Sequence, residues 1–372
     1  MILVDILLVV AGLALLTFGG EALVRGASTL ASKVGISPLV IGLVVVSAAT
    51  SAPEFAVTIG SVLNGEPDLA IGNVVGSNIA NILLILGVAA VISPLVIKRQ
   101  LVRFDIPVML GASGLLVLFS LDGRISPVDG AVLVALLALH TIASFIMGRK
   151  GVIDVEAETE ELPFNSKPVG LPLALGLLVL GVALLVVGAQ LLVSGAVSIA
   201  TALGVSSLVI GLTVVAIGTS LPELATSIVA IRKGETDMAV GNVVGSNLFN
   251  IGLVLGVPAL IFGDGLPVAG GAIAIDLPLM LAAAIALLPI AFTGFIIARW
   301  EGGLFLLLYV SYLTYLVLDS TGHDAAEGFS AAMLTLVGPL LVATLIAVTS
   351  YELGRNSERK RLQNPDPQRV SS

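Results

Sequence analysis

Thr50-Ser51-Ala52-Pro53-Glu54, followed by Gly72-Asn73-Val74-Val75-Gly76-Ser77-Asn78, returns later in the chain. The second copy is Thr219-Ser220-Leu221-Pro222-Glu223, followed by Gly241-Asn242-Val243-Val244-Gly245-Ser246-Asn247. Both pieces recur at one offset of 169 residues, without a gap. Each copy sets one glutamate beside a proline inside an apolar segment. Two carboxylates carried by a duplicated element in apolar surroundings point to a cation site at the seam between two halves.

The surroundings are those of a membrane. The chain has 372 residues, of which 57% are hydrophobic and 11% charged, and its mean hydropathy is +1.11. A soluble domain carries about 25% charged residues. Apolar runs of about 20 residues, rich in Leu, Val, Ala, Ile and Gly, suit spanning helices rather than barrel strands. Zero cysteines exclude disulfides and thiolate metal sites. Two histidines, His140 and His323, are too few for a histidine metal cluster. Basic patches interleaved with aromatics are missing, so nucleic acid is not an expected partner. The first apolar run lacks a positive leader segment, since Asp5 is its first charge. It is read as a retained span rather than a signal peptide.

Apolar segments fall at 2–29, 36–63, 69–94, 104–121 and 127–147, then at 169–199, 206–231, 238–262, 271–297, 302–318 and 329–350. The polar stretch between the two groups, 149–168, reads as a cytoplasmic linker, and 352–372 as a cytoplasmic tail. The domain reading is a first repeat over 1–148, a second over 169–320 and an additional span at 329–351. With the N-terminus outside, every Lys and Arg except Arg124 lies on the inner side, as the positive-inside rule requires. Matching glycines extend the repeat, Gly26 with Gly195 and Gly35 with Gly204. Five spans per repeat is an odd number, so the second copy enters the membrane from the opposite side. The expected fold is an all-α polytopic membrane protein of two inverted five-helix repeats plus one C-terminal helix. Inverted repeats are typical of secondary transporters, whose sites lie near mid-membrane.

The chemistry follows from the motif. Pro53 and Pro222 lack a backbone N–H and crowd the carbonyl four residues back, so mid-span kinks are expected that disturb the carbonyls of Ala49, Gly218, Thr50 and Thr219. Helical spacing gathers Thr50, Ser51 and Glu54 on one face, and Thr219, Ser220 and Glu223 on its counterpart. The following span adds Asn73, Ser77 and Asn81 at intervals of four, repeated as Asn242, Ser246 and Asn250. All these groups offer oxygen, which hard cations such as Na+ and Ca2+ prefer. Each polar residue alone also has a plainer reading, as glue between membrane helices, and a lone proline is ordinarily a kink. A glutamate in a membrane is costly and marks function; two equivalent ones strengthen that reading. Glu66, Asp68, Glu235 and Asp237 read as solvated loop residues, Glu21 and Arg25 as a helix pair, and His140 as a packing or hydrogen-bonding residue.

The paired TS-x-PE and GNVVGSN elements resemble the repeats of the cation/calcium exchanger superfamily, in its prokaryotic sodium/calcium exchanger branch. The likeness covers about residues 1–320. It implies a ten-helix core, four central cation sites and alternating access by sliding of the first helix of each repeat. It implies that Glu54 and Glu223 ligate Ca2+, helped by the carbonyls of Thr50 and Thr219. Ser51, Ser77, Ser220 and Ser246 would bind Na+ with the carbonyls of Ser47 and Ala216, and Asn81 and Asn250 would line the middle. Some members carry Asp where this chain has Asn250, so the site here has one ionisable group fewer. Ala49 also stands where the second repeat has Gly218.

The expected function is a Na+/Ca2+ antiporter of the plasma membrane, not an enzyme, that extrudes Ca2+. Inorganic cations and lipid are its partners, no cofactor is needed, and a monomer could suffice. Ca2+/H+ exchange is the alternative within the class. A passive cation channel and an intramembrane hydrolase are alternatives outside it; a nucleophile–base pair for the last is missing.

Overall fold

The computed structural model describes residues 2–155, 170–204, 216–292, 295–323 and 325–333, with isolated positions beyond. Its long apolar helices follow the hydropathy pattern: α1 (Ile2–Val34), α2 (Pro38–Leu63), α3 (Pro67–Ile92), α4 (Leu101–Ser120) and α5 (Pro127–Val155). After the linker come α6 (Leu171–Ala202), α7 (Leu221–Arg232), α8 (Thr236–Ile261), α9 (Ala272–Leu287), α10 (Arg299–Ser320) and α11 (Ala325–Ala332). Among the described residues eight helices are long and apolar enough to cross a membrane. The first half of the predicted span 206–231 lies outside the described residues up to position 215. So do 156–168 of the linker, most of the last span and the tail. α5 runs to Val155, several residues past the end expected for its span.

Lipid tails are as apolar as leucine, so helices here associate through close packing of small residues. α1 and α6 run antiparallel on glycine faces spaced by seven. A methyl at Gly12 would lie 2.7 Å from the Gly188 carbonyl oxygen, and one at Gly188 would lie 3.0 Å from that of Gly12. Gly19 meets Gly181 and Leu185 in the same way, and Gly26 meets Ala174. Each contact has a partner obtained by exchanging the two halves.

Two short strand pairs show the same exchange. β1 (Leu95–Val96) pairs antiparallel with β4 (Ile296–Ile297), and β2 (Arg124–Ile125) pairs with β3 (Leu266–Pro267). β1 follows α3 and β2 follows α4, so the pairs tie the halves together at opposite ends of the bundle. α3 and α8 form its centre. Their apolar windows are 72% and 78% buried, against 22% for α1 and 28% for α6.

Candidate functional site

The central polar seam starts with the prolines. Proline is tolerated in the first turn of a helix, where its missing N–H has no partner to lose. α2 accordingly breaks at Ser51 (φ −77°, ψ 0°), and a new helix starts at Ala52 with Pro53 in its first turn. The second half does the same. Ser220 (φ −90°, ψ 5°) precedes α7, which has Pro222 in its first turn. The kink expected at the prolines is therefore a helix restart just before them. It puts Glu54 and Glu223 in the first turn of a helix, where unpaired N–H groups and the helix dipole favour negative charge.

Both glutamates are 1% exposed, and the Glu223 carboxylate lies near enough across the seam for its charge to act on Glu54. Thr50, Ser51, Ser77, Asn81, Ser220, Ser246 and Asn250 are buried as well, while Thr219 is half-buried. The Thr50 hydroxyl lies 3.4 Å from the Asn242 Oδ1 and 3.5 Å from the Ser246 hydroxyl, so α2 of one half touches α8 of the other. Ser47 is tied down. Its carbonyl accepts the Ser51 N–H at 2.9 Å, and its hydroxyl lies 2.8 Å from the Gly42 carbonyl and 2.9 Å from that of Asn242. Ala216 opens the short turn Ala216–Gly218; its side chain is outside the description. α3 and α8 pass into π-helical segments at Asn81–Ile85 and Asn250–Leu255. Such wide turns are frequent at functional sites.

Among the described residues, nine buried side-chain oxygens have no hydrogen-bond partner, and eight belong to residues singled out by the repeat. They are one oxygen each of Ser51, Glu54, Ser77, Asn81, Ser220 and Asn250, and both of Glu223; Ser28 supplies the ninth. An unpaired buried polar group costs about 1–3 kcal/mol, so a fold that gathers eight in one place has a use for them. The set is oxygen only, which fits a hard cation. No group of three His, Cys, Asp or Glu side chains forms a metal site among the described residues. Two carboxylates among neutral oxygens suit an ion that must leave again.

Other polar residues have structural duties. Asn73 donates to the Glu54 carbonyl at 3.2 Å and to Thr58 at 3.1 Å, and Asn242 donates to Ser227 at 3.5 Å. His140 Nε2 lies 2.8 Å from Asp105 Oδ1, with its ring stacked on Phe104. In the second half Tyr312 donates to Asp276 at 3.2 Å. Two loop readings need correction. Asp237 is not simply solvated but pairs with Lys98 at 2.7 Å. Glu235 is buried, because the α7–α8 turn folds it against the bundle. Burial and then Asp237 push its carboxyl up, with Lys98 opposing. Asn78 and Asn247, the last residues of the two motif copies, also lie at the seam, bonded to Asn250 and Asn81. Their presence in both copies is the one sequence signal of that placement.

The sequence profile of the sodium/calcium exchanger protein family matches residues 4–146 and 173–318. The chain is 34% identical over 349 residues to the sodium/calcium exchanger MaX1 of Methanosarcina acetivorans, covering 85% of this chain and 99% of that one. It is 43% identical over 266 residues to the inner membrane protein YrbG of Escherichia coli, covering 70% and 81%. Its fold matches the sodium–calcium exchanger NCX_Mj soaked with zero Na+ and Ca2+ at a TM-score of 0.72 and 33% identity, covering 85% and 100%. The form soaked with 2.5 mM Na+ and 10 mM Sr2+ gives 0.71 and 35%, covering 83% and 98%.

Proposed function

Because this chain belongs to the sodium/calcium exchanger family, and is a multi-pass protein of the plasma membrane, we propose that it exchanges Na+ for Ca2+ by alternating access. The observation that carries this reading is the set of eight unpartnered buried oxygens at the seam, drawn from both halves and including both glutamates. Glu54 and Glu223 balance the charge of one Ca2+ or two Na+. Thr50 and Thr219 contribute carbonyls. Ser51, Ser77, Ser220 and Ser246 supply neutral oxygens for Na+, with the carbonyls of Ser47 and Ala216. Asn81 and Asn250 line the middle. Competition for shared oxygens makes exchange obligatory: with the ions gone, two facing carboxylates resist enclosure in a low-dielectric site.

The inverted arrangement is supported by contacts that exchange between halves, as in the paired strands β1–β4 and β2–β3. An outside N-terminus is supported by the bias of Lys and Arg. The smooth glycine faces of α1 and α6 suit sliding of this pair past the seam.

The test is uptake in reconstituted vesicles. Vesicles loaded with Na+ and diluted into Na+-free buffer are expected to accumulate Ca2+ against its gradient. Uptake that follows a pH gradient and ignores Na+ would make protons the coupling ion. Single-channel currents in a planar bilayer would replace exchange with passive conduction.

A further inference from the structure

An amide at a cation site has an orientation problem that a carboxylate does not. A carboxylate presents oxygen whichever way it turns. Asn81 and Asn250 present oxygen in one orientation and an N–H donor in the other. Both side chains are buried, and in each the unpartnered atom is the carbonyl oxygen. Something must hold the two amides that way round.

The geometry points to two mirrored relays, Met280–Asn78–Asn250 and Met109–Asn247–Asn81, in which Asn78 and Asn247 are positioning residues that turn the site amides oxygen-inward. The logic begins with sulfur. A thioether accepts hydrogen bonds and has no donor. Asn78 Nδ2 donates to Met280 Sδ at 3.6 Å, and Asn247 Nδ2 donates to Met109 Sδ at 3.5 Å. With its nitrogen turned to sulfur, each of these amides turns its oxygen to the seam. Asn78 Oδ1 then accepts from Asn250 Nδ2 at 3.2 Å, and Asn247 Oδ1 accepts from Asn81 Nδ2 at 3.0 Å. The nitrogens of Asn250 and Asn81 are thus drawn toward Asn78 and Asn247, leaving their oxygens for the ion. Reversing either relay would set a carbonyl oxygen against sulfur and point an N–H at the cation.

Each relay crosses the halves. Met280 on α9 acts through Asn78 on α3 upon Asn250 on α8. Met109 on α4 acts through Asn247 on α8 upon Asn81 on α3. All six residues are buried. The relays give a chain with Asn at position 250 a defined neutral oxygen at a place where an amide could otherwise turn its donor inward.

This inference rests on the seam being the cation site, so the test separates the two. Ca2+ affinity is measured by equilibrium binding to the purified full chain. Loss of Ca2+ binding in Glu54→Gln establishes the site itself; a parent protein that binds no Ca2+ would remove the site and the relays together. With the site established, Asn78→Leu is expected to weaken Ca2+ binding about tenfold, the effect of misorienting one buried ligand. In an Asn250→Ala background the same change is expected to cost less than about twofold, because the amide it positions is gone. Equal losses in both backgrounds would assign Asn78 to packing and overturn the relay. Should Asn78→Leu fail to fold, Met280→Leu keeps the volume and removes only the acceptor. A loss of about threefold is then expected with Asn at 250 and none with Ala. An unchanged affinity with Asn at 250 would overturn the proposal.

Discussion

At the residue scale, Glu54 and Glu223 are costly groups to bury in a membrane. Both are buried, and of their four carboxylate oxygens three have no hydrogen-bond partner. The helix N-termini offset only part of the cost of burying these carboxylates, and removing the charge relieves the rest. Glu223→Gln is therefore expected to raise the Tm of the ion-free protein by a few degrees while abolishing the added thermal stability that Ca2+ gives the parent. Glu54→Gln should do the same. Melting each variant with and without Ca2+ checks this; a variant that keeps the Ca2+-dependent shift does not carry a ligand.

At the element scale, α1 and α6 hold none of the proposed site oxygens and touch through backbone-to-backbone glycine contacts. A methyl at Gly188 would lie 2.9 Å from the Leu16 nitrogen and 3.0 Å from the Gly12 oxygen, closer than side chains ordinarily approach. Overpacking of this kind typically costs about 1–3 kcal/mol. If the pair slides during exchange, Gly188→Ala should slow Na+-driven Ca2+ uptake at least about fivefold while leaving Ca2+ affinity within about twofold. Parallel flux and binding measurements separate the two effects. A fall in affinity with no fall in maximal rate would assign this crossing to site assembly instead. In the centre of the bundle Gly241 and Gly245 serve a related purpose. They let α8 approach Leu39, Leu43 and Ser47 of α2 closely, and so bring the Thr50 hydroxyl to Ser246.

At the scale of the whole molecule, the halves are also joined at the membrane surface, where Lys98 of the first pairs with Asp237 of the second beside Glu235. Burial, then Asp237, hold the Glu235 carboxyl above its ordinary value, so the folded protein favours its protonated form. Stability from this group is present at low pH and is lost as pH rises through the raised value. Glu235→Gln stays neutral throughout. It should therefore gain about 1–3 °C in Tm near pH 8 and nothing at pH 4; an equal gain at both would assign the effect to packing. Much of this architecture is legible in the chain. Apolar length fixes the spanning helices because lipid leaves no other way to satisfy the backbone, and the repeated motif marks both glutamates, the serines and the site asparagines. Three things are not legible. The helix restarts just before Pro53 and Pro222, because a proline is accommodated in a first turn and not in a helix interior. Glu235 is buried because of how the α7–α8 turn packs, which its own sequence neighbourhood does not disclose. The direction in which Asn81 and Asn250 face depends on Asn78, Asn247 and two methionines brought from α4 and α9. Composition and repetition determine which groups enter the membrane, since burial in lipid acts on each segment by itself. Which atom of each group faces the seam is decided only when helices from both halves close around it, because a hydrogen bond needs a partner that local sequence does not supply.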